Sequence, residues 1–269
     1  MSDSIFDPKA DQKKYDFWMR TEKPAKTYSI LFTPRSGSSW LTSILTGTKA
    51  MGTPGEWFNP ALMHSSTRAK GARDLDQFVE VISRHEAHGG IFGFEITYHQ
   101  LKAVFGTEGN FMSRFDDAVF FWLTREDIVA QGVSLDKMVQ TRVSHAANND
   151  AQEIETSDNA YGYNANSIQK WINHIHAAEV GTERMISDFG LSPVRLSYEA
   201  ITSCGAQKVL NLFAEKLGLD GFATQDVSSG HRKIGTSKND EFAERFRAEN
   251  RDFMDRIDAE RAEMLSRYD

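Results

Sequence analysis

The sequence predicts an α/β fold with a mostly parallel central sheet, on two observations. Four short apolar runs, at residues 28–33, 91–96, 118–124 and 194–197, alternate with stretches whose apolar residues recur at helical spacing. One of them, AVFFWLT at 118–124, is continuously apolar, the mark of a strand covered on both faces. Strands alternating with helices imply βαβ units. Right-handed crossovers then gather the loops that follow the strands at the carboxyl edge of the sheet, where ligands bind.

In chain order, residues 1–26 read as a polar leader ending near Lys23-Pro24, and residues 27–269 as a single domain. The strand at 28–33 runs into Ser36, Gly37, Ser38 and Ser39, then into Trp40, Leu41, Ile44 and Leu45 at helical spacing. Leu75, Phe78, Val79 and Ile82 mark a helix that Gly89-Gly90 ends before the strand at 91–96. The strand at 118–124 leads into a helical pattern over 126–143, and the polar, Asn-rich residues 148–166 read as a loop. Ile168, Ile172, Ile175, Met185 and Ile186 mark another helix, 194–197 a last short strand, and 209–217 a helix after it. From Asn239 the chain is charged, with Phe242, Phe246, Phe253, Ile257 and Met264 at steps of four and seven. That is one amphipathic helix, whose stripe either packs on its own core or pairs two copies into a homodimer.

The 269 residues are 40% hydrophobic and 26% charged, ordinary for a globular protein. A formal charge of −7 and a pI of about 5.7 argue against a general nucleic-acid binder, though not against a local basic pocket. The single cysteine, Cys204, excludes an internal disulfide, fits a reducing cytoplasm, and reads as a structural residue early in a helix. The N-terminus lacks a basic-then-apolar signal, and no run approaches the ~20 apolar residues of a membrane span. A cytoplasmic protein with no membrane span is expected. No Cys/His cluster has zinc spacing, and His174 and His176, two apart, do not share a helix face, so no metal is expected.

The chemistry is carried first by TPRSGSS at residues 33–39. A loop from a strand into a helix aims unsatisfied backbone N–H groups, with the helix dipole behind them, at one spot. Gly37 lets an anion approach the backbone, Ser36, Ser38 and Ser39 add hydroxyl donors, and Arg35 adds a permanent forked cation. The Lys-Ser/Thr ending that serves magnesium and the terminal phosphates of ATP is absent. A donor that needs no metal is favoured. A second stretch, FWLTREDIVAQGVSL at 121–135, ends a strand at Arg125 and places Ser134 in the following helix, a pair able to clamp one anion.

Together these stretches resemble the PAPS-dependent sulfotransferases, most closely the bacterial trehalose 2-sulfotransferase family. The matching residues are Arg35-Ser36-Gly37, then Gly52-Thr53-Pro54-Gly55-Glu56-Trp57-Phe58, then Arg125 to Ser134, and last Asn239 with Arg245-Phe246. The resemblance implies a P-loop-like three-layer α/β/α fold. It also implies a sulfuryl group moved from PAPS, leaving PAP, to a hydroxyl of a carbohydrate, glycolipid or other small alcohol. By position, Arg35, Ser36, Gly37, Ser38 and Ser39 would hold the 5′-phosphosulfate, and Arg125 and Ser134 the 3′-phosphate, with Trp40 also in the cofactor-binding set. Glu56 would be the general base and Arg35 would stabilise charge on the leaving phosphate. Tyr198-Glu199 resembles a strand-end pair of the family. Gly93-Phe94-Glu95 departs from the Gly-x-Lys that relatives often carry, which, with the Asn-rich segment, points away from trehalose itself as acceptor.

Three features stay open at this level. His99, at a strand end, competes with Glu56 as base. The basic run Arg232, Lys233 and Lys238 is either a solvated loop or a flap reaching the 3′-phosphate. Trp57-Phe58 either stacks on a sugar or packs in the core. The competing functions are a P-loop nucleotide-binding kinase and a non-catalytic protein that binds PAP or a nucleotide.

Overall fold

The four apolar runs become four parallel strands of one sheet in the computed structural model, which describes residues 5–143, 151–220, 222, 227, 229 and 236–268. β1 (Lys26–Phe32), β2 (Ile91–Ile96), β3 (Val119–Thr124) and β4 (Val194–Ser197) lie in the order β2-β1-β3-β4. Leu31 sits between Ile96 and Trp122, and Thr124 pairs with Ser197. The chain leaves β1 toward β2 and then crosses over to β3. Strand order therefore reverses at the carboxyl ends of β1 and β3, the place where such sheets open a crevice.

Alternation along the strands sorts the side chains into two layers. Leu31, Phe92, Phe94, Ile96, Phe120 and Trp122 pack on one face. That face is covered by α3 (Pro60–Lys70), α4 (Leu75–His85), α5 (Tyr98–Phe105) and α6 (Glu108–Phe115). Tyr28, Ile30, Phe32, Ile91, Phe121 and Leu123 pack on the other, under α2 (Ser38–Gly47), α10 (Tyr198–Cys204) and α11 (Ala206–Lys216). This is the three-layer α/β/α arrangement. A third cluster, with Val133, Ile172, Phe246 and Ile257 at its centre, joins α7 (Ile128–Thr141), α9 (Ala165–Asp188), α12 (Ser237–Glu249) and α13 (Arg251–Leu265).

Several expectations change. Within the Asn-rich stretch, Ala151–Ala160 form a helix, α8, rather than a loop; residues 144–150 lie outside the described residues. Polar composition misleads there because a helix needs little apolar surface when one face suffices, and Ser157 is the side that is buried. The C-terminal segment is two helices, not one: Asn250, with φ −129°, ends α12 and starts α13. Its stripe is buried within the chain, with Phe246 and Ile257 fully covered, and so gives no ground for pairing two copies. Cys204 is exposed and closes α10 rather than lying early in a helix. The segment before β1 carries its own helix, α1 (Gln12–Trp18), and Ile5, Phe6, Tyr15 and Trp18 pack against the first core layer. Among the described residues no helix is long and apolar enough to cross a membrane.

Candidate active site

Residues 33–37 join β1 to α2 at the reversal point. Arg35 and Gly37 both take positive φ, 67° and 86°. Such alternation folds successive amides around a concavity suited to an anion. Gly37 is the N-cap of α2 and makes no side-chain cap bond, so the first turn is left to another acceptor. The loop is pinned from α7, where the buried Gln131 donates to Thr33 Oγ1 at 2.8 Å and to the Pro34 carbonyl at 2.7 Å. It is also pinned from α10. A Cβ at Gly37 would stand 2.6 Å from a Tyr198 ring carbon, so only glycine admits that ring.

Tyr198 has a second task. Arg125, at the end of β3, lies over its ring with the guanidinium carbon 4.7 Å from the centroid. Glu199 faces Arg125 at 3.8 Å and accepts the backbone N–H groups of Glu126 and Asp127. Arg125 Nε is buried and finds no hydrogen-bond partner among the described residues. Arg35 reaches across from the other loop, and its Nε donates to Ser134 Oγ at 3.1 Å. Burial, and then the charge of Arg125, lower the Arg35 pKa, which is the signature of two cations converging. Two guanidiniums brought together beside a helix start make a place that favours a multiply charged anion.

Arg125 is held by a segment that no local sequence pattern marks. Arg261, on α13, is fully buried and paired twice with Glu179 of α9, at 2.8 and 2.9 Å. Its remaining N–H groups donate to the Arg125 carbonyl at 2.7 Å and the Glu126 carbonyl at 2.8 Å. Desolvation of both charges is offset by these four bonds.

The far side of the same cavity is carried by the motif at residues 52–58. Gly52, with φ 73°, abuts β2 so closely that a Cβ would meet the Ile91 carbonyl at 2.8 Å. Gly55 accepts the Glu95 N–H at 3.0 Å, which lays the segment along the edge of β2. Glu56 then faces the cavity, half-buried, with Asn59 and Gln100 amides on Oε2 at 2.8 and 2.5 Å. Oε1 takes no hydrogen bond among the described residues. Phe58 is buried in the core and Trp57 donates to the Thr53 carbonyl, so this pair packs rather than stacking on a ligand. Aromatic faces at the cavity come instead from Trp40 and Trp171.

Alternation along β2 puts Glu95 on the α2 side with Ile91 and Gly93. Gly93 has no Cβ because the Tyr28 ring occupies its place, 2.2 Å away. Glu95 is 6% exposed, meets the Ser38 hydroxyl, and has Oε2 unpartnered among the described residues. Burial, with the nearby Glu56 charge, pushes its pKa up to about 8, against the opposing pull of Ser38.

The cavity measures about 780 Å³. Of the sequence-predicted residues, Arg35, Gly37, Ser38, Ser39, Trp40, Glu56, Arg125 and Ser134 all line it. Ser36 does not: it is buried in the loop, its hydroxyl unpartnered among the described residues. His99 lines the cavity but stacks on His174 at 4.0 Å, and its Nε2 lies 3.1 Å from the His174 carbonyl, which assigns the ring proton there. Lys238 donates to the Asp158 carbonyl at 2.6 Å; Arg232 and Lys233 lie outside the described residues. Asn239 lines the cavity beside the buried Lys137, which holds it at 3.2 Å. Sequence reasoning missed Gln131, Gln100 and Arg261 and had no role for Tyr198-Glu199. Thr97 three residues before Gln100, a capping box, was a readable signal for the second of these.

Among the described residues no group of His, Cys, Asp and Glu stands ready to hold a metal ion. The model of the Stf0 sulphotransferase family matches residues 27–249. No curated protein matches the chain.

Proposed function

The chain belongs to the Stf0 sulphotransferase family, and we propose that it moves a sulfuryl group from PAPS to a hydroxyl of a carbohydrate, glycolipid head group or other small alcohol. The observation that carries the donor reading is the convergence of Arg35 and Arg125 beside the open start of α2, with Arg125 Nε making no hydrogen bond among the described residues. A nucleotide with phosphate groups at two positions suits two separate cations and a loop. The 780 Å³ cavity leaves room for an acceptor beside it.

PAPS supplies an activated sulfuryl group on a phosphosulfate anhydride. The residues of this chain do the rest. The amides at the start of α2, with Ser38 and Ser39, bind the anionic end; Arg125 on its Tyr198 platform binds the other phosphate with Ser134. Arg35 sits between and stabilises charge that grows on the leaving phosphate. Glu56, oriented through Oε2 by Asn59 and Gln100, takes the acceptor proton on Oε1. In-line transfer of this kind depends mainly on positioning and charge stabilisation. The loop lacks the Lys-Ser/Thr pair that a γ-phosphoryl transfer uses, so a kinase is the weaker reading.

Calorimetric titration with PAP, and separately with magnesium-ATP, tests the donor. PAP should bind the protein and lose most of its affinity in Arg125→Ala, while ATP is ignored. PAP that fails to bind, or binds equally to Arg125→Ala, overturns the assignment. With the donor established, radiolabelled sulfate transfer to a panel of sugars and glycolipids identifies the acceptor.

A further inference from the structure

Glu95 carries a buried carboxyl whose hydrogen bond leads to the loop that meets the donor. The bond is to the Ser38 hydroxyl, and Ser38 lines the cavity. Glu95 itself does not line it, being 6% exposed at the end of β2. The titratable groups that bear on it are Glu56, from the segment before α3, and Tyr28, from β1. α2 offers the uncharged Ser38, and α4 covers the opposite face of β2 with Phe78, Val81 and Ile82. An ionised carboxylate has two oxygens to satisfy, and Oε2 meets no donor among the described residues. The neutral acid needs less: its O–H donates to Ser38 Oγ and only a carbonyl oxygen is left over.

The protonation state decides which way Ser38 points. An ionised Glu95 takes the Ser38 hydroxyl proton, so Ser38 turns lone pairs toward the cavity. A neutral Glu95 donates to Ser38 Oγ, and the Ser38 proton is free to face the cavity. We propose that Glu95 works as an un-ionised acid that turns the Ser38 hydroxyl proton toward the anionic donor, so that donor binding takes up a proton on Glu95. This rests on the donor reading above. The balance is simple: a solvent proton joins the Glu95 carboxylate, the Ser38 hydrogen bond reverses direction, and no other bond changes. Glu95 is thus a positioning residue, acting through Ser38. Its folded pKa of about 8 places the exchange in an accessible range.

Titration of the full chain with PAP between pH 7 and pH 9 tests this. As the neutral fraction falls, the apparent Kd of the unsubstituted protein should rise about tenfold over that range. At pH 8, heats in two buffers of unlike ionisation enthalpy should report uptake of about half a proton per PAP. In Glu95→Gln the amide donates to Ser38 at every pH, so both the slope and its share of the uptake should vanish. An unsubstituted protein that shows neither, or a Glu95→Gln that keeps both, overturns the inference while leaving the donor reading intact. PAP that binds at no pH removes the donor reading and this inference with it. The uptake on the unsubstituted protein needs no variant. Ser38→Ala gives a second check: it should bind PAP more weakly at pH 7 and lose part of the pH slope, and an unchanged affinity counts against the role.

Discussion

Replacing Glu95 with Gln should change the pH dependence of stability. Unfolded, the carboxyl titrates near its ordinary 4.5; folded, burial and the Glu56 charge hold it at about 8. A folded pKa raised above the unfolded one means that the native state binds the proton more tightly between those values. Its contribution is therefore fully present below pH 4.5 and is lost as pH rises toward 8. At about 1.4 kcal/mol per pH unit, the loss between pH 5 and pH 8 comes to about 3–4 kcal/mol. Gln is nearly isosteric and does not titrate. Its amide nitrogen, turned to Ser38, carries a second N–H for which Glu95 had no counterpart, and leaving that donor unsatisfied costs about 1–3 kcal/mol at any pH. The two stability curves should therefore cross: Glu95→Gln less stable at pH 5, more stable at pH 8. Burial lowers the pKa of His174 and His176, and whatever they contribute is common to both proteins and cancels in the difference. Urea unfolding of both proteins at pH 5.0, 6.5 and 8.0 measures it. Parallel curves across that range would refute a buried, proton-bearing Glu95.

Other substitutions test the rest of the site. Glu56→Gln should slow sulfuryl transfer by roughly 10²–10⁴-fold with PAP affinity little changed, read from single-turnover rates and calorimetry; a loss of PAP binding instead would make Glu56 part of the donor site. Gly37→Ala forces a Cβ into the Tyr198 ring at a φ of 86°, and should lower stability by about 1 kcal/mol or more and weaken PAP binding together, since Tyr198 also carries Arg125. Arg261→Met leaves Glu179 buried without its partner and should cost about 3–5 kcal/mol in thermal or urea unfolding. The double replacement Arg261→Met with Glu179→Leu should recover most of that stability yet still bind PAP weakly, because the Arg125 and Glu126 carbonyls lose their donors.

The sheet was legible because its strands are buried on both faces, which forces continuous apolar runs such as 118–124. Its donor edge was legible for the same reason: the Arg35-Ser36-Gly37 loop follows directly on one such run. The short helices were not. α5 and α6 have eight residues each, too few turns for a clear apolar period, and their starts are set by the hydroxyls of Thr97 and Thr107. Contacts made across long separations were also hidden. Ser134 sits in the expected helix, but its hydrogen-bond partner among the described residues is Arg35 and not Arg125, because α7 also packs on the first loop and pins it through Gln131. Arg261 was invisible because nothing local marks it: a charged residue in a charged helix, its meaning lies in Glu179, which stands far earlier in the chain.

The sequence departure at Glu95 and the expected base at Glu56 belong to one arrangement. Two carboxyls close together in a site built for an anion cannot both be charged without repelling it and each other. The environments divide the task between them. Glu56 has two amide donors and an open cavity, which suit a carboxylate. Glu95 has one hydroxyl and the protein interior, which suit an acid. On this division a proton on Glu95 would remove a negative charge from beneath the proposed donor site, while Glu56 would keep the charge that its proposed role as base requires. It follows that alkaline pH acts on this enzyme twice: it ionises Glu95 beneath the donor and sets a second negative charge beside Glu56. Donor affinity should fall as Glu95 ionises, so the alkaline limb of the pH profile should appear in KM for the donor and not in kcat at saturating donor. A limb seen in kcat alone would place the titrating group elsewhere.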